Sequence, residues 1–292
     1  NQNKARLALL CVSALYGTNF GCVKVLDEAM SPAMVAALRF SLAAAAFVPL
    51  GLSTQFDCDE RKAQIIESGV LAGVFCFIGY LGQALSLLST DASVCAFICS
   101  LAVVVVPIID LMRSSAEVVT GAPPQKKSKL GSAMPPALLA VAGVGLLELG
   151  GAHSPGIGDL LALLQPIFFG ACFWKVEQTM KKADPIYATG EAHYLTVIML
   201  STVAICSIAW AMLSEGGASA MATDAWGIFA SGGRGLILAA LVWTGVVTTG
   251  FTTLVENAAM VHLSAAESTV IYSTEPLWAA AFASVALGEH LG

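Results

Sequence analysis

Charged side chains are scarce in this sequence. Asp, Glu, Lys and Arg make up 12% of the 292 residues, against about 25% in ordinary soluble domains, and hydrophobic residues make up 57%. The mean hydropathy is +0.79. So few charges cannot cover the surface of a soluble domain of this size, and we therefore predict an integral membrane protein with several spans.

The sequence also has no excess of basic residues. Its 14 Lys and Arg residues are outnumbered by 20 Asp and Glu residues, which gives a net charge of -6. Nucleic-acid-binding domains carry a basic patch that neutralises phosphates, so no nucleic-acid partner is expected.

Motifs that would support an enzyme or a cofactor site are missing. The sequence contains no HExxH, GxSxG, Walker A or dinucleotide-binding pattern, so neither ATP-driven pumping nor redox catalysis is supported. It has 8 cysteines but no C-x-x-C pair, and all of them except Cys58 lie in apolar segments. We therefore expect no enzyme, no metal site, no cofactor and no disulfide framework.

Long apolar segments, in contrast, occupy most of the chain. A helix that crosses a bilayer needs about 20 predominantly apolar residues. Nine segments meet this requirement: residues 7–26, 33–52, 68–89, 92–112, 130–150, 160–180, 192–213, 236–262 and 265–287. The sequence therefore predicts an all-α membrane protein with nine spans.

The chain also contains an internal repeat. Residues 69–102 align with residues 243–276, which places Gln83 on Asn257. A second alignment places Pro32 on Pro185. We predict two copies of a five-helix unit, in residues 1–151 and 158–292. Because five is odd, the second copy must enter the membrane upside down, as in the inverted repeats of many secondary transporters.

The distribution of Lys and Arg predicts the orientation of the chain. Most of these residues flank the ends of the spans that lie on the same side as the N-terminus. Under the positive-inside rule, this asymmetry predicts that the N-terminus faces the cytoplasm-like side.

Two carboxylates lie inside predicted spans near the end of the chain. Glu256 is in the eighth span, and Glu275 is in the ninth, directly before Pro276. An ionisable residue within the bilayer is costly and is a functional hypothesis by default. Tyr272 lies three residues before Glu275 and shares its helix face. We predict that Tyr272 and Glu275 bind substrate and that Glu256 and Glu275 exchange a proton or gate the pathway. The alternative is a hydrogen-bonded carboxyl that orders the helix break at Pro276.

The same residues carry a family resemblance. Residues 256–258 (ENA), 264–265 (SA), 272–278 (YSTEPLW) and 287–289 (LGE) resemble the second half of EamA-type proteins in the drug/metabolite transporter superfamily. Residues 16–20 (YGTNF), Lys24, Pro32 and Arg39-Phe40 are similar to the opening helices of that family. The resemblance implies ten helices around a central cavity and transport of a small polar metabolite by alternating access. The chain ends at Gly292, where the family's tenth helix begins, so we expect that helix to be missing.

A narrower resemblance concerns the compartment. Residues 97–98, 103–107, 165–166 and 174–175 look most similar to plastid-type members from plants and algae. This implies a plastid or another organellar membrane. The expected partners are lipid and a small metabolite, and a homodimer stays an open alternative.

Further polar residues inside the spans complete the predicted site. Asn19 must find partners within the bundle, either by lining a cavity or by joining two helices. Arg39 could pair with a carboxylate, extend towards the membrane surface or contact an anionic substrate. Gln83 and Asn257 are related by the repeat, so we predict that both lie near the midplane and bind substrate. Lys175, near the inner surface, is a candidate gate residue or a simple interfacial charge.

Two other functions compete with transport. The first is a helical membrane bundle that transports nothing, such as an assembly or regulatory factor, in which the buried carboxylates are structural. The second is an intramembrane aspartyl protease, because residues 156–159 (GIGD) resemble part of its motif and Asp110 could serve as the second aspartate. That mechanism needs two aspartates that face each other. The predicted topology instead places Asp110 and Asp159 on opposite sides, with Asp159 as a helix N-cap.

Overall fold

The computed structural model describes residues 2–120, 156–217 and 234–282, together with residues 142, 219, 223, 284 and 285. All regular secondary structure in this part is helical. The α-helices are α1 (Gln2–Asp27), α2 (Pro32–Leu52), α3 (Asp59–Ser86), α4 (Ala92–Ser100), α5 (Ala102–Thr120), α6 (Ile157–Ala162), α7 (Leu164–Met180), α8 (Ala188–Ser214), α9 (Arg234–Val242), α10 (Thr252–Ala259), α11 (Ala265–Tyr272) and α12 (Glu275–Phe282). A π-helix, Trp243–Phe251, joins α9 to α10.

The helices of the described part agree with the predicted membrane spans. Seven are long and apolar enough to cross a bilayer: Gln2–Asp27, Pro32–Leu52, Asp59–Ser86, Val94–Arg113, Ile157–Met180, Ala188–Ser214 and Gly235–Ala259. The predicted fifth span, residues 130–150, lies outside the described residues apart from residue 142. The predicted ninth span is present as two short helices, α11 and α12. The protein is thus an all-helical, multi-pass integral membrane protein.

Local sequence signals account for the helix starts. Ser31 caps α2 by accepting a hydrogen bond from the Met34 amide, and Pro32 follows at the first helical position. Ser264 forms a capping box with Glu267 at the start of α11. The prediction that Asp159 is an N-cap was wrong. The N-cap of α6 is a glycine, and Asp159 is the third helical residue, whose carboxylate accepts from the N-cap amide at 2.7 Å.

Small residues let helices from the two parts of the chain pack closely. The main helix pairs are α2 with α8, α3 with α7 and α8, and α1 with α12. A Cβ atom on Gly17 of α1 would lie 2.5 Å from Trp278 Cβ and 2.7 Å from the Ala279 backbone nitrogen of α12. A Cβ atom on Gly73 of α3 would lie 2.6 Å from Thr202 Cβ of α8. Membrane helices commonly associate through such small residues, because lipid provides no hydrophobic drive for their contact.

Replacing Gly17 with leucine is expected to destabilise the protein. The new side chain would collide with backbone atoms of α12, and overpacking of this kind costs about 1–3 kcal/mol. Thermal unfolding of the purified protein in detergent measures the loss. Gly235→Leu is the matched control, since a Cβ atom there meets no atom within 4 Å. An unchanged melting temperature for Gly17→Leu would mean that α1 and α12 are not in this close contact.

Polar contacts join the two parts of the chain at one end of the bundle. The Arg61 guanidinium of α3 bonds the Glu191 carboxylate of α8 at 2.5 Å and also donates to the Thr179 carbonyl of α7 at 2.9 Å. At the same end, Arg6 of α1 pairs with Glu267 of α11 at 2.7 Å. These contacts connect helices that are far apart in sequence and hold this end of the bundle together.

Candidate functional site

A cavity lies inside the bundle and brings most of the predicted site residues together. Its empty volume is about 680 Å³, including space open to solvent. Every α-helix of the described part except α2, α6 and α9 contributes to its wall, whereas the π-helix does not. The lining residues are Tyr16, Asn19, Cys76, Tyr80, Gln83, Cys99, Ser100, Ala102, Phe169, Phe173, Met199, Thr253, Glu256, Thr269, Tyr272 and Glu275.

Glu256 is held in the cavity wall by two tyrosines. Its Oε2 atom accepts hydrogen bonds from the Tyr16 hydroxyl at 2.9 Å and from the Tyr272 hydroxyl at 3.2 Å. The two tyrosine rings also contact each other edge to face, with centroids 5.7 Å apart. A buried carboxyl with two donors is fixed in position and satisfied. Glu256 therefore ties α1, α10 and α11 together at the cavity.

Glu275 has a different environment. It is the first residue of α12, after a break at Ser273 and Thr274 that interrupts the predicted ninth span. Its side chain is buried and lines the cavity, yet no described residue hydrogen-bonds to its carboxyl group. Pro276 suits the first turn of a helix, where its missing amide leaves no partner unpaired. The break thus places a carboxyl group with no protein partner, among the described residues, at the cavity.

Asn19 and Gln83 belong to a chain of amide side chains. The Asn19 amide donates to Gln83 Oε1 at 3.3 Å, and the Gln83 amide donates to Gln165 Oε1 at 3.3 Å. The Thr248 hydroxyl donates to Asn19 Oδ1 at 2.9 Å. Asn19 thus joins helices through hydrogen bonds and also lies in the cavity wall.

Arg39 lies beside this cavity rather than in it. It lines a smaller pocket of about 250 Å³, which shares Tyr80 and Gln83 with the larger cavity. Arg39 is 3% exposed, and the Nε and Nη2 atoms of its guanidinium each donate to Thr249 Oγ1 at 3.2 Å. Arg39 neither extends to the membrane surface nor forms an ion pair with a described carboxylate.

Two predicted site residues line neither cavity. Asn257 is fully buried against α8, where its amide donates to the Thr196 hydroxyl at 2.9 Å and contacts Met199. Lys175 is half-buried on α7, and Thr179 bonds to its carbonyl. Gln83 and Asn257, which the predicted repeat aligns with each other, thus have different surroundings.

Sequence reasoning missed the roles of Tyr16, Tyr80 and the π-helix. Tyr80 lies on α3 one turn before Gln83, and its ring packs near Arg39, Phe40 and Phe169. Helical spacing from Gln83 was a usable signal for Tyr80. The π-helix presents the threonines that contact Asn19 and Arg39, and no residue pattern in the sequence marks it. π-Helical segments occur frequently at functional sites.

The geometry of the described residues does not support the protease reading. Asp159 bonds to the Gly156 amide and the Thr90 hydroxyl, whereas Asp110 accepts from Trp174 Nε1 at 3.0 Å. The two aspartates thus belong to separate groups of contacts instead of facing each other. The described part also contains no group of three or more His, Cys, Asp or Glu side chains that could hold a metal ion.

Removing both tyrosine donors is expected to destabilise the protein. In the double variant Tyr16→Phe, Tyr272→Phe, the buried Glu256 carboxyl loses both hydrogen bonds, and an unsatisfied buried group costs about 1–3 kcal/mol. Thermal unfolding in detergent measures the effect. Tyr194→Phe is the control, because that ring packs on Phe56 and its hydroxyl makes no described hydrogen bond. Equal melting temperatures for the double variant and the control would contradict the role of Glu256 as an anchor.

Comparison with known proteins agrees with this architecture. A model described as the EamA-like transporter family matches residues 3–118 and 156–292. A protein of Archaeoglobus fulgidus named as an uncharacterized transporter is 28% identical over 181 residues, which cover 62% of this chain and 51% of that protein. The match therefore spans about half the length of this relative.

A solved structure extends the comparison to the whole fold. A crystal structure whose description names no function matches with a TM-score of 0.67 and 14% identity, over 99% of this chain and 90% of that one. At this identity, the likeness shows the fold alone. The family match is stronger, because its two segments include most of the chain and the helices that build the cavity. The chain belongs to the EamA-like transporter family.

Proposed function

We propose that the protein is a secondary transporter, which moves a small polar metabolite across the membrane by alternating access. The observation that carries this proposal is the cavity, because α1, α3, α4 and α5 contribute to its wall together with α7, α8, α10, α11 and α12. A site between two repeats is the arrangement that secondary transporters use. We assign residues 1–151 to the first repeat and residues 158–292 to the second.

Glu275 is the residue in the cavity that is best suited to exchange a proton or contact cargo. Its carboxyl lines the cavity without a hydrogen bond from a described residue, so it is available to a substrate or to water. Glu256 is already bonded by two tyrosines and serves mainly to hold α1, α10 and α11. Asn19, Gln83 and Tyr272 supply further polar contacts in the cavity wall.

Polar contacts at both ends of the bundle could break and re-form as access alternates. Arg61 and Glu191 connect α3 and α8 at one end. At the other end, the Ser31 hydroxyl bonds the Glu215 carboxylate, and Lys24 lies 3.6 Å from Asp91. A conformational change that opens one end must break its contacts, while the opposite end keeps its own.

The experiment is uptake and counterflow in proteoliposomes with labelled amino acids, sugar phosphates, nucleobases and organic acids. Saturable, counterflow-competent flux of one class supports the carrier. Absence of flux for every class, with folded protein inserted in both orientations, favours the non-transporting bundle. In that case the buried carboxylates would serve structure alone.

A further inference from the structure

The smaller pocket contains two opposite charges that do not pair. Asp27, at the end of α1, and Arg39, on α2, both line it, together with Tyr80 and Gln83 of α3. Within the described part of the chain, the ion pairs include neither Asp27 nor Arg39. A carboxylate and a guanidinium thus line the same small pocket.

Asp27 lacks any hydrogen-bond partner among the described residues. Both of its carboxylate oxygens are buried, and neither accepts a hydrogen bond. Its sequence neighbour Glu28 is exposed. A buried carboxylate without a donor is costly, and native structures rarely keep one without a ligand, an ion or water. Asp27 therefore indicates a missing cationic or hydrogen-donating partner.

Arg39 is held so that it cannot easily provide that partner. Its guanidinium carbon lies 4.7 Å from the Phe40 ring centroid and 5.0 Å from the Tyr80 ring centroid. Thr249 accepts from both Nε and Nη2, which fixes one edge of the guanidinium. The other edge of the guanidinium consists of Nη1 and the second hydrogen of Nη2. Such an edge can donate two parallel hydrogen bonds to one carboxylate.

We propose that the pocket of Asp27 and Arg39 is a subsite for the charged head of a small zwitterion. Arg39 binds the carboxylate of the ligand, and Asp27 binds its ammonium group. Tyr80 and Gln83 line both spaces, so the rest of the ligand extends past them into the larger cavity. This inference rests on the proposed transport function, and it names the cargo class.

The competing explanation is a structural charge pair, in which Asp27 and Arg39 contact each other directly in another conformation. The two explanations differ in how each substitution changes ligand preference. If the pocket is a subsite, each substitution should change the affinity for ligands that carry the matching charge. If Asp27 and Arg39 form a structural pair, each substitution should change the affinity for all ligands equally.

The test uses matched ligands on purified protein. Alanine, leucine and phenylalanine are each compared with the amine that lacks the carboxylate and with the acid that lacks the ammonium group. Ligand-dependent rise of the melting temperature measures binding without requiring transport. We expect at least one zwitterion to bind about tenfold or more tightly than its amine and its acid, since each analogue leaves one buried charge unpaired.

Two variants test which residue recognises which charge of the ligand. Asp27→Asn should abolish the advantage of the zwitterion over the acid, and Arg39→Gln should abolish its advantage over the amine. Arg39→Lys keeps the charge without the two-point edge, so it should retain part of the preference if Arg39→Gln fails to fold. Glu28→Gln is the matched control, because that carboxylate is exposed, and it should leave all affinities unchanged.

The outcomes separate this inference from the transport function. Equal binding of zwitterion, amine and acid, no binding of any zwitterion, or an equal loss for all three ligands in both variants overturns the subsite. Saturable flux of a cargo that is not zwitterionic overturns the subsite and leaves transport intact. Selective zwitterion binding without flux supports the subsite and overturns transport.

Discussion

Glu275→Gln is expected to reduce saturable uptake at least about tenfold while the protein stays folded. The substitution keeps the size of the side chain and removes its charge and its capacity to exchange a proton. A hydrogen bond to a charged group contributes about 1.5–3 kcal/mol. A loss of about 1.4 kcal/mol lowers a rate or an affinity tenfold. The effect should be large because Glu275, unlike the other cavity carboxyl Glu256, receives no hydrogen bond from a described residue.

Uptake and counterflow together show what Glu275 does. Uptake driven by a pH gradient requires a proton to cross, whereas counterflow requires only that the cargo does. A loss confined to gradient-driven uptake identifies Glu275 as the proton carrier, and an equal loss in both assays identifies it as a cargo contact. Full activity in both assays would remove Glu275 from the mechanism.

Two carboxylate controls accompany this variant. Glu256→Gln makes the same chemical change in the same cavity, but the amide oxygen can still accept from Tyr16 and Tyr272, so its effect should be smaller. Glu60 is exposed, so Glu60→Gln should change neither uptake nor counterflow. A larger effect from Glu256→Gln than from Glu275→Gln would reverse the assigned roles.

Apolar length and charge placement predicted much of the fold and part of the site. A carboxylate within a span must be buried in the bundle, because lipid does not solvate it, and this reasoning found Glu256 and Glu275. The motif around Pro276 also located the break before α12. These features follow from the chemistry of single segments and need no knowledge of neighbouring helices.

The remaining features depend on how the helices rotate and pack. Asn257 is turned towards α8 and not into the cavity, and the preceding π-helix changes the helical register of that span. Asp27 closes a span, where a charge is ordinary, so its buried oxygens give no signal in the sequence. The contact of Tyr16 with Glu256 joins helices that are far apart in the sequence. A single sequence does not show that these helices lie next to each other in space.

Arg61→Met is expected to cause the largest loss of stability among the substitutions considered. Arg61 makes every described hydrogen bond to the Glu191 carboxylate, at distances of 2.5, 3.0 and 3.1 Å. The Glu191 side chain is 1% exposed, so removal of Arg61 leaves a buried charge without compensation. Breaking a buried pair in this way costs about 3–5 kcal/mol, which thermal unfolding in detergent detects as a large fall in melting temperature.

The two partners of this pair should differ in their effects. Glu191→Gln keeps an oxygen that accepts from Arg61, and the guanidinium still bonds the Thr179 carbonyl, so its loss of stability should be smaller. Lys62→Met is the control, because this neighbouring basic side chain is exposed. Equal melting temperatures for Arg61→Met and Lys62→Met would show that the pair does not hold this end of the bundle. A fall with Arg61→Met, partly recovered by adding Glu191→Gln, would show that the cost arises from the unpaired carboxylate, since the double variant no longer buries that charge.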